Sequence, residues 1–389
     1  MANSVKIIFH IDFNAYFCSV AELYNPLLRN TAFAIGNPNS NYGVLSTASY
    51  KAREYGIKAG MPQIEALRIL PTLNIVSIPY ERYQYYHYRF IDLISEYTNL
   101  IKVGSIDEVY ADMTEICKKR NVIVVAKEIQ TRLLEEYHLS CSIGIAPTLF
   151  LAKMASDLKK PLGITILRKR DVKNIIYPLS VKEIYGIGKK TYPLLINKSI
   201  LTIADFMDDK NKEIVSNIIS SKYYLEIRDK ILGNSSDIIL EKKDKDQDSI
   251  SLVRTYDNRL SIEEEILGEF KILTKQLYKK LISLNVKTNN VAITLRDISF
   301  KTIIRSKSIP YTDNFNDILN VVYDLAQENL DNKVYRLIGI SFNNLNNDIK
   351  KSEYNLFTIN ENKKLKVKET IDELNKKYNN VIINYKDSK

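Results

Sequence analysis

Ser105-Ile106-Asp107-Glu108-Val109-Tyr110 sets two adjacent carboxylates among apolar residues, in a stretch that reads as a buried β-hairpin. Such a pair is costly to bury, because like charges repel in a low-dielectric strand and an unpaired carboxylate loses its hydration. A cation is the natural remedy. With only Asp and Glu supplied, and no His or Cys nearby, the donor set suits a hard ion with oxygen ligands, Mg²⁺ or Mn²⁺, rather than zinc. Taken alone, the stretch also fits an exposed acidic turn. A third carboxylate changes the balance: Lys6-Ile7-Ile8-Phe9-His10-Ile11 reads as a short central strand that delivers Asp12 at its carboxyl end. Three acids on two strand ends can surround a pair of Mg²⁺ ions about 3.5–4 Å apart, the arrangement that supports in-line attack at phosphorus.

Two further groups of residues suit phosphate. Thr47, Tyr50 and Arg53 are spaced by three, which predicts one face of a helix carrying a hydroxyl, a phenol and a guanidinium, donors fitted to β- and γ-phosphates. A solvated polar helix face has the same spacing. From Val181 the chain reads as helix, Gly186-Ile187-Gly188 hairpin and helix, a unit whose glycines let backbone amides approach a DNA phosphate, with Lys189 and Lys190 extending the charge. A tight helical turn is the plainer alternative.

Ile11-Asp12-Phe13-Asn14-Ala15-Tyr16-Phe17-Cys18-Ser19-Val20, Ser46-Thr47-Ala48-Ser49-Tyr50-Lys51-Ala52-Arg53, Lys58-Ala59-Gly60-Met61-Pro62 and Ser105-Ile106-Asp107-Glu108 together resemble the Y-family translesion DNA polymerases, in particular the bacterial DNA polymerase IV type. The resemblance implies an α+β multidomain fold. Its parts are a ferredoxin-like palm (1–14 and 79–168), fingers (15–78), a helical thumb with the helix-hairpin-helix (169–240), a linker (241–249), a second β-α-β-β-α-β domain or little finger (250–348) and a tail (349–389). Asp12, Asp107 and Glu108 are then the catalytic acids, and with the Phe13 carbonyl they hold two Mg²⁺, for which Mn²⁺ can substitute. The nucleotide is held by Tyr16, Phe17, Thr47, Tyr50, Arg53 and Lys160. Phe17 is the steric gate against a 2′-hydroxyl, and Val44, Ser46 and Gly60 roof the nascent base pair. Lys159 competes with Lys160 for the triphosphate, and a lysine at a helix end is otherwise a dipole partner. Plain core packing is the alternative for Tyr16 and Phe17. Asn14 stands where the family commonly has Asp.

The same resemblance implies primer-template DNA and dNTPs as partners, gripped through Gly186, Gly188, Lys189 and Lys190 in the thumb and Lys301, Arg305 and Lys307 in the little finger. The sliding clamp docks on the tail at Tyr354-Asn355-Leu356-Phe357, where Glu353 and Tyr354 replace the usual Gln and first Leu. No second acidic cluster suggests a proofreading exonuclease. A catalytically silent DNA-binding or clamp-recruited scaffold of the same fold is the rival.

The elements that must position these residues follow from periodicity. A helix is predicted from Ala15 to Leu23, a Tyr-rich amphipathic helix from Pro79 to Thr98, another from Val122 to Tyr137 and a strand from Cys141 to Ile145. With the fingers set aside as an insertion, the order is β-α-β-β-α-β. Glu-Lys-Lys-Asp-Lys-Asp-Gln-Asp (241–248) reads as a linker. Beyond it, Ser261-Ile262-Glu263-Glu264 predicts a capping box, and Asn314 to Asn329 a helix before a last strand from Tyr335 to Phe342.

A chain of 389 residues suits two to four domains. Its 56 Lys and Arg against 46 Asp and Glu, a net +10, suit a polyanionic partner, although an A·T-biased genome also yields Lys-rich chains. Cys18, Cys117 and Cys141 are odd in number and far apart, which argues against a disulfide framework or zinc site. The one short apolar run at the amino terminus is broken by His10 and Asp12, so a soluble, cytoplasmic protein is expected; it is also expected to be a monomer. His10, His87 and His138 share no evident site.

Overall fold

The strand that carries Asp12 as its next-to-last residue runs through the middle of a sheet, so all six of its residues are buried. The computed structural model describes residues 5–39, 43–235, 239, 248–331 and 333–346. The chain divides into two units, 1–245 and 246–389. The first opens with β1 (Ile8–Phe13) and α1 (Tyr16–Tyr24). A small excursion follows: β2 (Phe33–Ile35), β3 (Thr47–Ala48), α2 (Tyr50–Glu54), α3 (Gln63–Ile69) and β4 (Asn74–Val76). The chain then returns through α4 (Tyr80–Ser95), β5 (Ile101–Val103), β6 (Glu108–Asp112), α5 (Thr114–Cys117), α6 (Val122–Tyr137), β7 (Cys141–Ala146), α7 (Leu149–Asp157) and β8 (Ile164–Ile166).

The main sheet has the order β5-β6-β1-β7-β8, with the pairs β5–β6, β6–β1 and β1–β7 antiparallel and β8 parallel to β7. Alternation along β1 divides its side chains between two faces. Phe9, Ile11 and Phe13 pack with Phe90, Leu93 and Ile94 of α4 and Val125, Ile129 and Leu133 of α6, while Ile8 joins the core built on α7. His10 and Asp12 therefore share the α7 face. Gly144, opposite His10 on β7, is what lets α7 lie so close: a Cβ there would stand 2.0 Å from the Ala152 carbonyl oxygen and 2.3 Å from the Ser156 amide nitrogen.

The excursion forms its own three-stranded sheet, β3-β2-β4, over a small core of Leu45, Ala48, Ala52, Ile57, Met61 and Ala66. After β8 come short helices, α8 (Val172–Ile175), α9 (Tyr192–Ile196), α10 (Ile203–Met207), α11 (Lys212–Ile219) and α12 (Ser221–Ile231), which bury Ile184, Ile187, Phe206 and Tyr224. Helix α10 begins with a capping box, Thr202 Oγ1 accepting from the Asp205 amide and Asp205 Oδ2 from the Thr202 amide.

The second unit runs β9 (Ser249–Leu260), α13 (Glu263–Ser283), β10 (Thr288–Asp297), β11 (Thr302–Thr312), α14 (Phe315–Asn329) and β12 (Tyr335–Asn343). Its element order repeats that of the main sheet, but its strand order is β11-β10-β12-β9, all antiparallel. The last strand thus pairs with the first hairpin strand, whereas in the main sheet β1 takes that central place. Phe270, Leu273, Ile318 and Val322 of the two helices cover one face. Asn314 caps α14 by accepting from the Asn316 and Asp317 amides. The expected capping box at Ser261 does not form: Ile262 is the extended residue before α13, so Ser261 lies one position too early to reach the first free amides. Among the described residues no helix is long and apolar enough to cross a membrane, and the three cysteines are free thiols.

The Gly144 contact sets an expectation. Gly144→Ala should lower stability by about 1–3 kcal/mol, because the neighbours it meets are backbone and cannot swing aside. Urea unfolding measures this, and an unchanged midpoint would contradict the close approach.

Candidate active site

Asp12 lies directly opposite Glu108 across the β1–β6 ladder, with Ser142 on its other flank. Residues so paired share a face, which brings the two carboxylates to the same side of the sheet as His10, two residues back. One ligand atom from each of His10, Asp12 and Glu108 falls within 4.8 Å of the others. Asp12 is only 7% exposed, so the pair carries the electrostatic cost expected of buried like charges.

Two lysines offset it. Lys153 Nζ, from α7, lies 2.5 Å from Glu108 Oε2, and Lys160 Nζ lies 2.7 Å from Asp12 Oδ2 and 2.7 Å from Asp157 Oδ1. Lys159 forms no ion pair among the described residues, which separates it from Lys160. His10 Nδ1 is 2.8 Å from Ser156 Oγ, whose own proton goes to the Lys153 carbonyl. The Nδ1 atom therefore carries a hydrogen, and Nε2 faces Glu108 Oε2 at 3.2 Å, outside hydrogen-bond geometry. His10 is thus part of the acidic cluster and not an isolated structural histidine. Sequence reasoning also missed Lys153, which only the packing of α7 brings to Glu108. The period-two step from Asp12 back to His10 was a signal that could have found the histidine.

The two acids respond differently to burial. Burial works to raise Glu108, but contact with His10 and Lys153 and their charge outweigh it, bringing its pKa down to about 2. For Asp12 burial wins over Lys160, His10 and Lys153, and its pKa stands above the ordinary carboxylate value. Burial lowers Lys160, yet the charges of Asp12 and Asp157 raise it on balance. Asp12 is therefore short of positive charge even with its lysine in place. Two carboxylates with a remaining charge deficit fit a divalent cation, although the imidazole of His10 beside them means that the donor set is not the oxygen-only one that the sequence suggests.

Asp107 belongs to the turn before β6. Its carbonyl accepts from the Phe13 amide at 3.0 Å, and its carboxylate is engaged by the Ser105 hydroxyl. Its backbone is thus beside the end of β1, while its carboxylate is outside the His10–Asp12–Glu108 group. Phe13 is buried between Tyr16 and Phe90, with ring centroids at 5.2 and 4.5 Å. Asn14 forms a neutral clip to β7: its amide and Nδ2 donate to Ser140 O and Oγ, and its Oδ1 accepts from Ser142 Oγ at 2.8 Å.

Ala15, at φ 47°, turns the chain into α1. Tyr16 then points into the core, donating its hydroxyl to the Tyr83 carbonyl at 2.6 Å. Phe17 stays half-buried, its ring edge-on to Tyr83 at 4.7 Å.

Thr47, Tyr50 and Arg53 do not share one helix. Thr47 pairs with Ile35 in the β3–β2 ladder, and Ser49 caps α2 by accepting from the Ala52 amide, so helical backbone begins only at Tyr50. The three still converge. Arg53 donates Nε to the Ala48 carbonyl at 2.9 Å, approaches Thr47 Oγ1 at 3.4 Å, and lies 4.8 Å from the Tyr50 ring centroid. Burial raises the Tyr50 pKa, with Arg53, Lys160 and Asp12 all close enough to influence it. This array and the acids thus share one electrostatic environment. Val44, Ser46 and Gly60 are exposed around buried Leu45, whose carbonyl accepts from the Gly60 amide at 2.8 Å. A Cβ on Gly60 would meet nothing within 4 Å.

Among the short helices after β8, Ile184 and Ile187 are buried while Gly186 takes φ +100° and Gly188 is open to approach. The amides of Gly188, Lys189 and Lys190 make no hydrogen bond within the chain among the described residues. On the edge strand β11, Arg305 and Lys307 lie opposite buried Ile293 and Val291, on the side that carries the helices. Lys307 pairs with Asp324 of α14 at 3.0 Å, and Lys301 stands at the start of β11. Tyr354-Asn355-Leu356-Phe357 lies outside the described residues.

Residues 11–157 match the impB/mucB/samB family, and residues 247–356 match the C-terminal domain of that family. DNA polymerase IV of Oceanobacillus iheyensis is 35% identical over 98% of this chain and 91% of its own length. DNA polymerase IV 1 of Bacillus subtilis is 36% identical over 98% and 93%. A solved Y-family DNA polymerase chimera of Dbh and Dpo4 superposes with a TM-score of 0.78 at 26% identity, covering 87% of this chain and 99% of that one. With family models spanning well over half of the sequence and a carboxylate pair that fits a divalent cation, the chain belongs to the impB/mucB/samB family of Y-family translesion DNA polymerases, of the DNA polymerase IV type, and is a divalent-metal-dependent enzyme.

Proposed function

We propose that Asp12, Asp107, Glu108 and the Phe13 carbonyl hold two Mg²⁺ ions, and that the enzyme adds dNTPs to the 3′ end of a primer on template DNA without proofreading. The Asp12–Glu108 pair across β1 and β6 carries this reading, with Lys160 and the Thr47–Tyr50–Arg53 array within electrostatic reach. Bound metal supplies positive charge where the primer oxygen and the triphosphate become more negative. The residues of the chain do the rest. Lys160 can exchange its contact with Asp12 for the triphosphate, and Arg53, held by Ala48 and Thr47, offers its remaining guanidinium hydrogens to phosphate oxygens. Catalysis is then mainly positioning and charge stabilisation.

Phe17 serves as the gate beneath the sugar, and its edge-on contact with Tyr83 supports that role by fixing the ring. Tyr16, whose phenol is spent on Tyr83, contributes through its backbone. Val44, Ser46 and Gly60 roof the base pair with little bulk. The hairpin at Gly186 to Lys190, through the amides of Gly188, Lys189 and Lys190, holds a duplex phosphate irrespective of sequence, as an enzyme that copies any template requires. Lys301 and Arg305 offer further phosphate contacts, to which Lys307 adds if it releases Asp324. The segment at 354–357 docks on the sliding clamp. A catalytically silent scaffold would have no use for the buried acid pair, whose burial is costly.

Three outcomes test this. Extension of a labelled primer with Mg²⁺ and dNTPs should proceed for the wild type and fall by about 10²–10³-fold or more in Asp107→Ala and Glu108→Gln; equal extension by either variant rules out its proposed role. In single-nucleotide kinetics, Phe17→Ala should reduce discrimination against ribonucleotides by about 10- to 100-fold, as expected when an overpacking penalty of a few kcal/mol is removed. Joint replacement of Leu356 and Phe357 by Ala should weaken binding to the clamp by at least about 10-fold, the scale of a buried anchor, while extension of a short clamp-free substrate stays unchanged.

A further inference from the structure

The β10–β11 hairpin turns on Ile298, Ser299 and Phe300. It closes with the Asp297 amide donating to the Lys301 carbonyl at 3.1 Å and the Phe300 amide to the Asp297 carbonyl at 3.1 Å. The third residue of such a loop takes a left-handed conformation, here φ 67° at Phe300. Gly is the usual choice at that position, because a Cβ costs about 1–2 kcal/mol there. Phenylalanine is thus unfavourable for the turn, and burial does not compensate: the residue is 65% exposed, with Ile298 beside it at 45%.

The surroundings are cationic. Arg336 lies over the ring, its guanidinium carbon 4.1 Å from the centroid. Arg296 occupies the last ladder pair before the turn and donates Nε to Thr302 Oγ1 at 2.7 Å, and Lys301 follows the ring. None of these three forms an ion pair among the described residues. The acid on the turn, Asp297, is directed inward, its Oδ1 accepting from Ser299 Oγ at 2.6 Å and from the Lys301 amide at 3.0 Å.

We propose that Phe300 is a stacking platform for a base of single-stranded DNA, the unpaired template beyond the primer end. An aromatic ring backed by a guanidinium and flanked by cations is the chemistry that holds single strands without reading sequence. Arg336 holds the ring, while Arg296 and Lys301 attract the neighbouring phosphates. An apolar protein partner would cover Ile298 and Phe300 but would gain nothing from three cations at the rim. The proposal rests on the polymerase reading and extends it to a contact that extension chemistry does not require.

The chain has no tryptophan, so Phe300→Trp places a single reporter at the site. In the full-length protein its emission should be quenched by a single-stranded oligonucleotide and by a primer-template with a long 5′ template overhang, and much less by a blunt duplex. Phe300→Gly suits the turn, so its thermal midpoint should be unchanged or higher while affinity for the overhang substrate falls by about 10-fold, the scale of one lost base stack. Unchanged emission when anisotropy shows the overhang substrate bound, equal quenching by the blunt duplex, or wild-type overhang affinity in Phe300→Gly would each overturn the proposal. Wild-type primer extension on the same substrate reports the polymerase activity separately, so the two readings fail independently.

Discussion

Two carboxylates directly across from one another in a buried antiparallel ladder are the constraint around which the first unit is arranged. The β1–β6 ladder fixes the backbones of Asp12 and Glu108 opposite one another, so the remedy comes from the surrounding elements. Helix α7 supplies it by bringing Lys153 and Ser156 onto the sheet, and the turn after α7 adds Lys160. That approach requires a bare backbone at Gly144. A glycine in the neighbouring strand is therefore as much a part of the charged site as the lysines themselves. The balance also remains incomplete, since Glu108 is held ionised while Asp12 stays above its ordinary range.

Much of this was legible from local pattern. The helices from Val122 to Tyr137 and from about Asn314 to Asn329 depend on interactions within a few residues, and each stands where its sequence indicates, as does Asp12 near the end of its apolar run. The failures share a cause. Thr47, Tyr50 and Arg53 have helical spacing, but pairing of Thr47 with Ile35 is a tertiary contact that spacing does not encode. The Ser261 capping box has the right residue types, yet α13 starts one residue later. Lys153 lies 45 residues from Glu108, and no local signal marks it as that acid's partner.

The second unit shows why element order is weaker evidence than ladder order. Both units run β-α-β-β-α-β, yet the first places its opening strand centrally and the second places it at an edge. In the first, the opening strand has neighbours on both sides and can deliver a buried acid; in the second, β9 and β11 are both edges with free backbone groups. One pattern of elements thus supports a closed chemical centre in one half and an open surface in the other.

Asn14 has a consequence of its own. Its carboxamide fixes the end of β1 to Ser140 and Ser142 using uncharged donors and acceptors only. That end of β1 is thereby held independently of proton and electrolyte concentration, because nothing in the clip titrates or is screened. Ionic strength then acts on this protein through its grip on polyanions and through the lysine–carboxylate pairs of the site, while the Asn14 clip itself is left unscreened.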